Sequence, residues 1–343
     1  MHQLHNTLYV TTPEAYVRLD HETLRIEVEG QMRLQVPLHR LGALVYFGDV
    51  LISPAVLHRC ADDGRSIAFL DRNGRFKARL EGPVSGNVLL RKAQHEATTD
   101  SSRTLAIARN IVAGKVQNVR QIVLRAARET DDPQDGAQLK ETAQALANTL
   151  RQVETAADLD QLRGFEGEAA RRHFETFSAM VREDRATFQS NGRSRRPPRD
   201  PTNALLSFLY ALLLGDCIAA AEGVGLDPQI GFLHALRPGR PALGLDLMEE
   251  LRSVIAERLA LTLINRRQLN AAHFVERPGG AVYLNDEGRK EVIVAYQKRR
   301  QEEVQHLVLE RKTPVGLIPH VQARLLARVL RGDLGAYVPF LSR

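Results

Sequence analysis

Gly82-Pro-Val-Ser-Gly86 is the stretch on which the fold turns. Two glycines, a proline and a serine in five residues interrupt any helix or paired strand, and the pattern of the chain changes across them. On the N-terminal side, Leu24, Ile26 and Val28 alternate with Arg25, Glu27 and Glu29, the period of a half-buried strand. Gly30 marks a turn, Leu34 and Val36 continue the alternation, and residues 43–47 read as a third, more buried strand. Ser53-Pro54 supplies a cap and a proline at the first helical position, opening a short helix that ends near Asp62-Asp63-Gly64. Asn73-Gly74 between the apolar runs 66–70 and 76–80 is a hairpin signal.

On the C-terminal side the spacing becomes helical. Ser101-Ser102 is a cap for a helix carrying Leu105, Ala108, Ile111, Val112, Val119 and Ile122 on one side. Leu139, Leu146 and Leu150 mark the next helix, and residues 164–180, 203–221, 242–263 and 287–310 read as four more. The pattern therefore predicts an α+β protein. A small, mostly antiparallel β domain over residues 1–86 precedes a larger all-α domain over residues 87–343.

A length of 343 residues, 43% hydrophobic and 26% charged, is that of an ordinary globular chain of one or two domains. The pattern predicts no membrane span. MHQLHNTLYV lacks the basic head and apolar core of a signal peptide. Cys60 and Cys217 are too few and too far apart for a disulfide framework or a cysteine zinc site, so a reducing cytoplasm is expected. The net charge is +6. Residues 1–86 hold ten Lys/Arg and ten Asp/Glu, so the basic excess lies wholly in residues 87–343. Such an excess points toward polyanions such as nucleic acid.

A loop interrupts the helical part at Gln189-Ser-Asn-Gly-Arg-Ser-Arg-Arg-Pro-Pro-Arg-Asp-Pro-Thr202. Three prolines exclude a helix, and Asp200 or Thr202 would cap the one that follows. The stretch is either a mobile solvated linker or a clamp in which Arg193, Arg195, Arg196 and Arg199 hold a phosphate backbone.

The chemistry points to Gly231-Phe-Leu-His-Ala-Leu-Arg-Pro-Gly-Arg-Pro-Ala-Leu-Gly-Leu-Asp-Leu-Met-Glu-Glu-Leu-Arg252. His234 stands in a loop-rich segment, while Asp246 and Glu249 share one face of an apolar helix. Carboxylates there are costly to bury without compensation, which a divalent metal would supply. A further carboxylate, Glu166, lies between Gly164 and Gly167 and is read at the start of a helix. There it is either a metal ligand or a complement to the helix dipole. Glu168 reads as solvent-facing, His173 beside Phe174 as a packed histidine, and Asp131-Asp132 as a surface turn. His2, His5, His21 and His39 lack ligand spacing. Taken alone, His234 is equally a core histidine bonded to a backbone carbonyl. With the carboxylates it forms a mixed nitrogen and oxygen set suited to Mn²⁺ or Mg²⁺.

Three motifs in order, Gly164-Phe-Glu-Gly167, Arg193 through Tyr210, and Gly231 through Arg252, resemble the CRISPR-associated protein one family. The Arg/Pro loop is most similar to its subtype I-C branch. The resemblance covers the whole chain. It implies a spacer-acquisition integrase and endonuclease of antiviral defence, whose metal ligands are Glu166, His234 and Glu249. Asp246 would sit in support or on a second metal, and Asn203 and Tyr210 near the catalytic pocket. Tyr210 would orient the scissile phosphate or a DNA end. The implied reaction is attack of a prespacer 3′-hydroxyl on a repeat-boundary phosphodiester, without ATP. The implied partners are prespacer and repeat DNA, a second copy through the β domain, and a dimer of CRISPR-associated protein two. A stand-alone metal-dependent nuclease and a non-catalytic DNA-binding scaffold remain the alternatives.

Overall fold

Alternation at Leu24 and Ile26 buries both side chains on one face of a strand, and the N-terminal unit is built on that pattern. The structure, a computed structural model, describes residues 6–72, 74, 76–80, 82, 88–190 and 192–342. The chain divides into two compact units, Met1–Ser85 and Gly86–Arg343. The expected boundary after residue 86, and Asn73 of the expected turn, lie outside the described residues.

The first unit runs β1 (Asn6–Val10), β2 (Tyr16–Asp20), β3 (Thr23–Val28), β4 (Gln31–Pro37), β5 (Leu41–Phe47), β6 (Leu51–Ile52), α1 (Pro54–Asp62), β7 (Ser66–Leu70) and β8 (Phe76–Leu80). Two four-stranded sheets form, ordered β1-β5-β7-β8 and β4-β3-β2-β6. Glu29 and Gly30 both take positive φ, 52° and 74°, which gives the β3–β4 hairpin its tight turn. Val17, Leu44, Tyr46, Val56 and Cys60 close the core. The β-rich character is as expected, but the pairing is not mostly antiparallel. β1–β5, β5–β7 and β2–β6 are parallel, because α1 and the longer connections carry the chain back to the same end. Ser53 precedes α1 as expected, yet its side chain makes no capping bond.

The second unit contains α2 (Val88–Thr99), α3 (Ser101–Glu129), α4 (Pro133–Glu154), α5 (Leu159–Thr176), α6 (Arg185–Phe188), α7 (Pro201–Val224), α8 (Ala242–Glu249) and α9 (Arg258–Asn265). Then follow β9 (Phe274–Arg277), β10 (Ala281–Leu284), α10 (Asp286–Gln301), β11 (Glu303–His306), β12 (Arg311–Pro314) and α11 (Ile318–Leu330). Helical it is, but with two antiparallel hairpins, β9–β10 and β11–β12, so it is not all-α. The second hairpin replaces the end of the helix expected over 287–310. The helix expected over 242–263 breaks after Glu249 and resumes as a π-helical stretch, Arg252–Glu257. α5 begins at Leu159 behind the cap Asp158, so Glu166 lies in mid-helix and does not complement the helix dipole. The cap of α3 is Asp100, one residue before the expected serines.

One helix, α7, does reach the length that the sequence pattern predicts to be lacking. Its 24 residues are long and apolar enough to cross a bilayer by length and composition, because Asp216 and Glu222 are its only charges. In the structure most of it is buried, packed against α8 and α11. Asp200 caps it by accepting from the Asn203 amide at 2.7 Å.

The C-terminal segment is tied down by one buried carboxylate. Glu250 accepts from Tyr337 Oη, from Gln322 Nε2 at 3.0 Å and from the Phe340 amide at 2.8 Å. Burial outweighs these donors and pushes its pKa from 4.5 up to about 7. The folded protein therefore holds this proton more tightly than the unfolded chain does. Its stability should fall as pH rises from about 4.5 to about 7, then level off. The Glu250→Gln variant should lose that slope, on the order of 3 kcal/mol across the window. Urea titrations at several pH values check this; an unchanged slope would assign it to another group.

Candidate active site

α8 carries ALGLDLME, and its side chain at Asp246 is fully buried. The charge is satisfied by the chain just upstream. Asp246 Oδ2 accepts from the amides of Phe232 at 2.6 Å and Leu233 at 3.0 Å. Oδ1 accepts from the His234 amide at 3.0 Å and pairs with His234 Nδ1 at 2.7 Å. Gly231 permits this wrap, since an added Cβ would lie 2.6 Å from the Ala242 carbonyl carbon and 2.7 Å from Asp246 Oδ2. A carboxylate offers about four acceptor directions, and all four are taken here. These contacts fix Asp246 and the histidine loop together. With Nδ1 engaged by Asp246, His234 presents Nε2 as its open nitrogen. That nitrogen lies 3.6 Å from Glu249 Oε1.

Glu249 is only 3% exposed and stands among cations. Arg252 reaches its Oε1 at 2.9 Å and Lys115 Nζ its Oε2 at 2.6 Å. Burial alone would raise the Glu249 pKa, but Arg252, Lys115 and His234 together bring it down to about 2. The lysine contact is short and charge-assisted, so Oε2 is met by a single cation and by no backbone or neutral donor among the described residues. Lys115 also binds Glu166 on α5, and so joins the two carboxylates through one buried ammonium. Burial would lower the lysine pKa, yet Glu249 and Glu166 outweigh it and hold the ammonium charged. Arg163 ties α5 to the histidine loop by donating to the Leu233 carbonyl at 2.8 Å.

Sequence reasoning missed Lys115, although its signal is visible. The lysine falls in the apolar stripe of α3, four residues after Ile111 and four before Val119. Arg252 and Glu257 were also missed, and the π-helical stretch that brings both to the site has no marker in the apolar pattern.

Tyr210 lines a small cavity together with Lys115, Glu249, Arg252 and Glu257. Its hydroxyl donates to Glu257, whose other oxygen pairs with His173 Nε2 at 2.8 Å. Burial, then the Glu257 charge, raises the phenol pKa well above its ordinary value. His173 packs against Phe174 and Phe177, the role expected for it. Glu168 pairs with Arg171 and Arg172 toward solvent, and Asp132 caps α4.

The arginine loop is not a free strand. Arg193 donates to Asn203 Oδ1 at 2.6 Å and Ser207 Oγ at 3.0 Å, and its guanidinium lies 5.3 Å from the centre of the Tyr210 ring. These contacts are all inside the protein, unlike those of a solvent-facing clamp arginine. Asn203 is 1% exposed, and its amide also holds Gly192 and Asp200. It organises the loop. Arg195, Arg196 and Arg199 remain exposed. Arg199 donates to the Gly279 carbonyl.

Among the described residues, no three His, Cys, Asp or Glu side chains already stand close enough to hold an ion. The donor set nevertheless fits one. Glu249 Oε2 and Glu166 already share a cation in the lysine ammonium, and His234 Nε2 is turned toward the same carboxylate. Oxygen donors with one imidazole suit Mn²⁺ or Mg²⁺.

The family model described as CRISPR associated protein Cas1 matches residues 8–298. The chain is 63% identical over 343 residues to CRISPR-associated endonuclease Cas1 1 of Moorella thermoacetica, covering 100% of both. It is 52% identical to CRISPR-associated endonuclease Cas1 2 of Rhodospirillum rubrum, covering 99% of both. Among solved structures, a Cas1 protein from Thermotoga maritima superposes with a TM-score of 0.82 at 24% identity, over 97% of this chain and 98% of that one. A casposase bound to integration product gives 0.83 at 19% identity, over 97% and 92%.

Asp246→Asn would turn an amide donor toward backbone donors. It should destabilise the protein by roughly 2–3 kcal/mol. Glu168→Gln, at the surface, should cost less than about 0.5 kcal/mol. Equal losses in urea unfolding would refute the positioning role.

Proposed function

Because this chain belongs to the Cas1 family, we propose that it is a metal-dependent DNA integrase and endonuclease of CRISPR adaptation. One observation carries the reading: Glu249 and Glu166 share a single buried cation, and His234 is oriented toward Glu249 by a saturated Asp246. Glu166, His234 and Glu249 would hold Mn²⁺ or Mg²⁺. When bound, such an ion stabilises charge developing on a phosphodiester and activates the attacking oxygen.

The chain's own side chains supply the rest. Asp246 keeps Nε2 of His234 open. Arg252, ion-paired to Glu249 and stacked on Tyr210, places a fixed positive charge beside the site. Glu257 holds the Tyr210 hydroxyl in one orientation, so its ring is a firm wall of the cavity. The oxygen of a DNA 3′-hydroxyl forms the new phosphorus–oxygen bond. The bond to the 3′-oxygen of the cut repeat strand breaks, and that oxygen leaves with a proton. One phosphodiester replaces another, so no ATP is needed. Hydrolysis by the same groups, with water as the attacking oxygen, is the second reading, favoured by the endonuclease names of the relatives.

A cytoplasmic location follows from this substrate. The DNA is double-stranded prespacer and repeat, and the implied assembly adds a second copy of the chain and a Cas2 dimer. The first unit supports self-association: Met32 and Leu34 of β4, with Leu51 and Phe76, are 46–66% exposed.

Glu166→Gln, His234→Ala and Glu249→Gln should each reduce strand joining by at least about 100-fold, while DNA binding persists. Labelled DNA ends incubated with a repeat-bearing plasmid and Mn²⁺ provide the readout. Cutting without joining would select the hydrolytic reading, and joining retained in all three would exclude this site. Met32→Arg with Leu34→Arg should shift sedimentation from dimer to monomer; an unchanged dimer would rule out this face.

A further inference from the structure

A second basic feature lies on another face of α3. Lys115, Val116 and Val119 face the cavity described above, while Asn118, Gln121, Ile122 and Arg125 line a separate groove of about 400 Å³. That volume suits a ligand of nucleotide size. Five guanidinium groups border it: Arg125 and Arg128 from α3, Arg182 beyond α5, and Arg258 and Arg266 from α9 and its end. Among the described residues, Glu129 is the only acid on the wall. It is engaged by Arg125 at 2.6 Å and Arg182 at 3.7 Å. Arg128, Arg258 and Arg266 have no carboxylate partner among the described residues.

The groove is held in shape. Asn265 Oδ1 accepts from the Arg182 amide at 2.8 Å, and its Nδ2 donates to the Met180 carbonyl at 3.0 Å. This pins the segment after α5 to α9, so two walls are fixed without a ligand. Arg258 is half-buried, and burial, then Arg125 and Arg299, lower its pKa despite the opposing pull of Glu302 and Glu129. A partly buried cation facing other cations is unfavourable by itself and is relieved by an anion.

We propose that this groove binds the phosphate backbone of a nucleic-acid strand through Arg128, Arg258 and Arg266, as a site distinct from the active site and the Arg195–Arg199 loop. It deepens the proposed function and rests on that reading. Planar guanidinium groups pair with phosphate oxygens in two-bond geometry, and several along one groove match the repeating charge of a strand. Such contacts are indifferent to base sequence and would retain a strand whose reacting end lies elsewhere.

The test is fluorescence anisotropy of a labelled single strand against salt. The full-length wild type, an R128Q/R258Q/R266Q groove variant and an R195Q/R196Q/R199Q loop variant are compared. Each lost phosphate contact lowers the log–log slope by about 0.7, so the groove variant should lose about two units. Arg258→Lys, which keeps the charge, should stay near the wild-type slope. Circular dichroism establishes that the variants are folded. A wild-type slope in the folded groove variant, with the loop variant reduced, overturns the groove and leaves the proposed function standing. Absence of DNA binding by the wild type overturns both. Loss of poly-glutamate binding in the groove variant with an unchanged DNA slope would make the groove a peptide site and also overturn the inference.

Discussion

Four carboxylates are buried between residues 246 and 257: Asp246, Glu249, Glu250 and Glu257, none more than 3% exposed. Buried charge is tolerated only where donors or cations meet it, and each of these acids draws on a different part of the chain. Asp246 takes the amides of residues 232–234. Glu249 takes Lys115 from α3 and Arg252 from its own segment. Glu250 takes Gln322, Tyr337 and the Phe340 amide. Glu257 takes His173 from α5 and Tyr210 from α7. The electrostatic demand of one short segment thereby organises the whole second unit around it.

The four differ in what satisfies them, and that difference separates structure from chemistry. Asp246 is saturated by hydrogen bonds, Glu250 accepts three, and Glu257 sits between two fixed side chains. Glu249 is met by cations instead, the Lys115 ammonium and the Arg252 guanidinium. An ammonium on a flexible stem is a charge that another cation can replace. Glu166, half of the same lysine pair, stands 24% exposed on α5, open to ligand on its outer side. Its flanking glycines have nothing within 4 Å of an added Cβ, so packing does not require them.

Much of this was legible in sequence. Strand alternation at Leu24 and Ile26 and the change of pattern after Gly82 place the two units. The motifs around Glu166, His234 and Glu249 mark the segments that the fold draws together around Lys115. The errors share a physical origin. Helix ends were misjudged where caps outside the apolar pattern, Asp100 and Asp158, decide the start. Parallel strand pairing was misjudged because alternation is the same in parallel and antiparallel sheets. That Arg193 and Asn203 bond to one another inside the protein was not legible, since donors look alike in sequence whether they face inward or outward.

By itself, then, the sequence determined the fold class, the family and the residue types of the site, because periodicity and local motifs are properties of neighbouring residues. Only the tertiary structure decided which charge answers which. Lys115 meets a glutamate 51 positions away, and the Glu250 carboxylate is met by an amide 90 positions away. Coulombic and hydrogen-bond energies depend on separation in space, and no spacing along the chain encodes those distances.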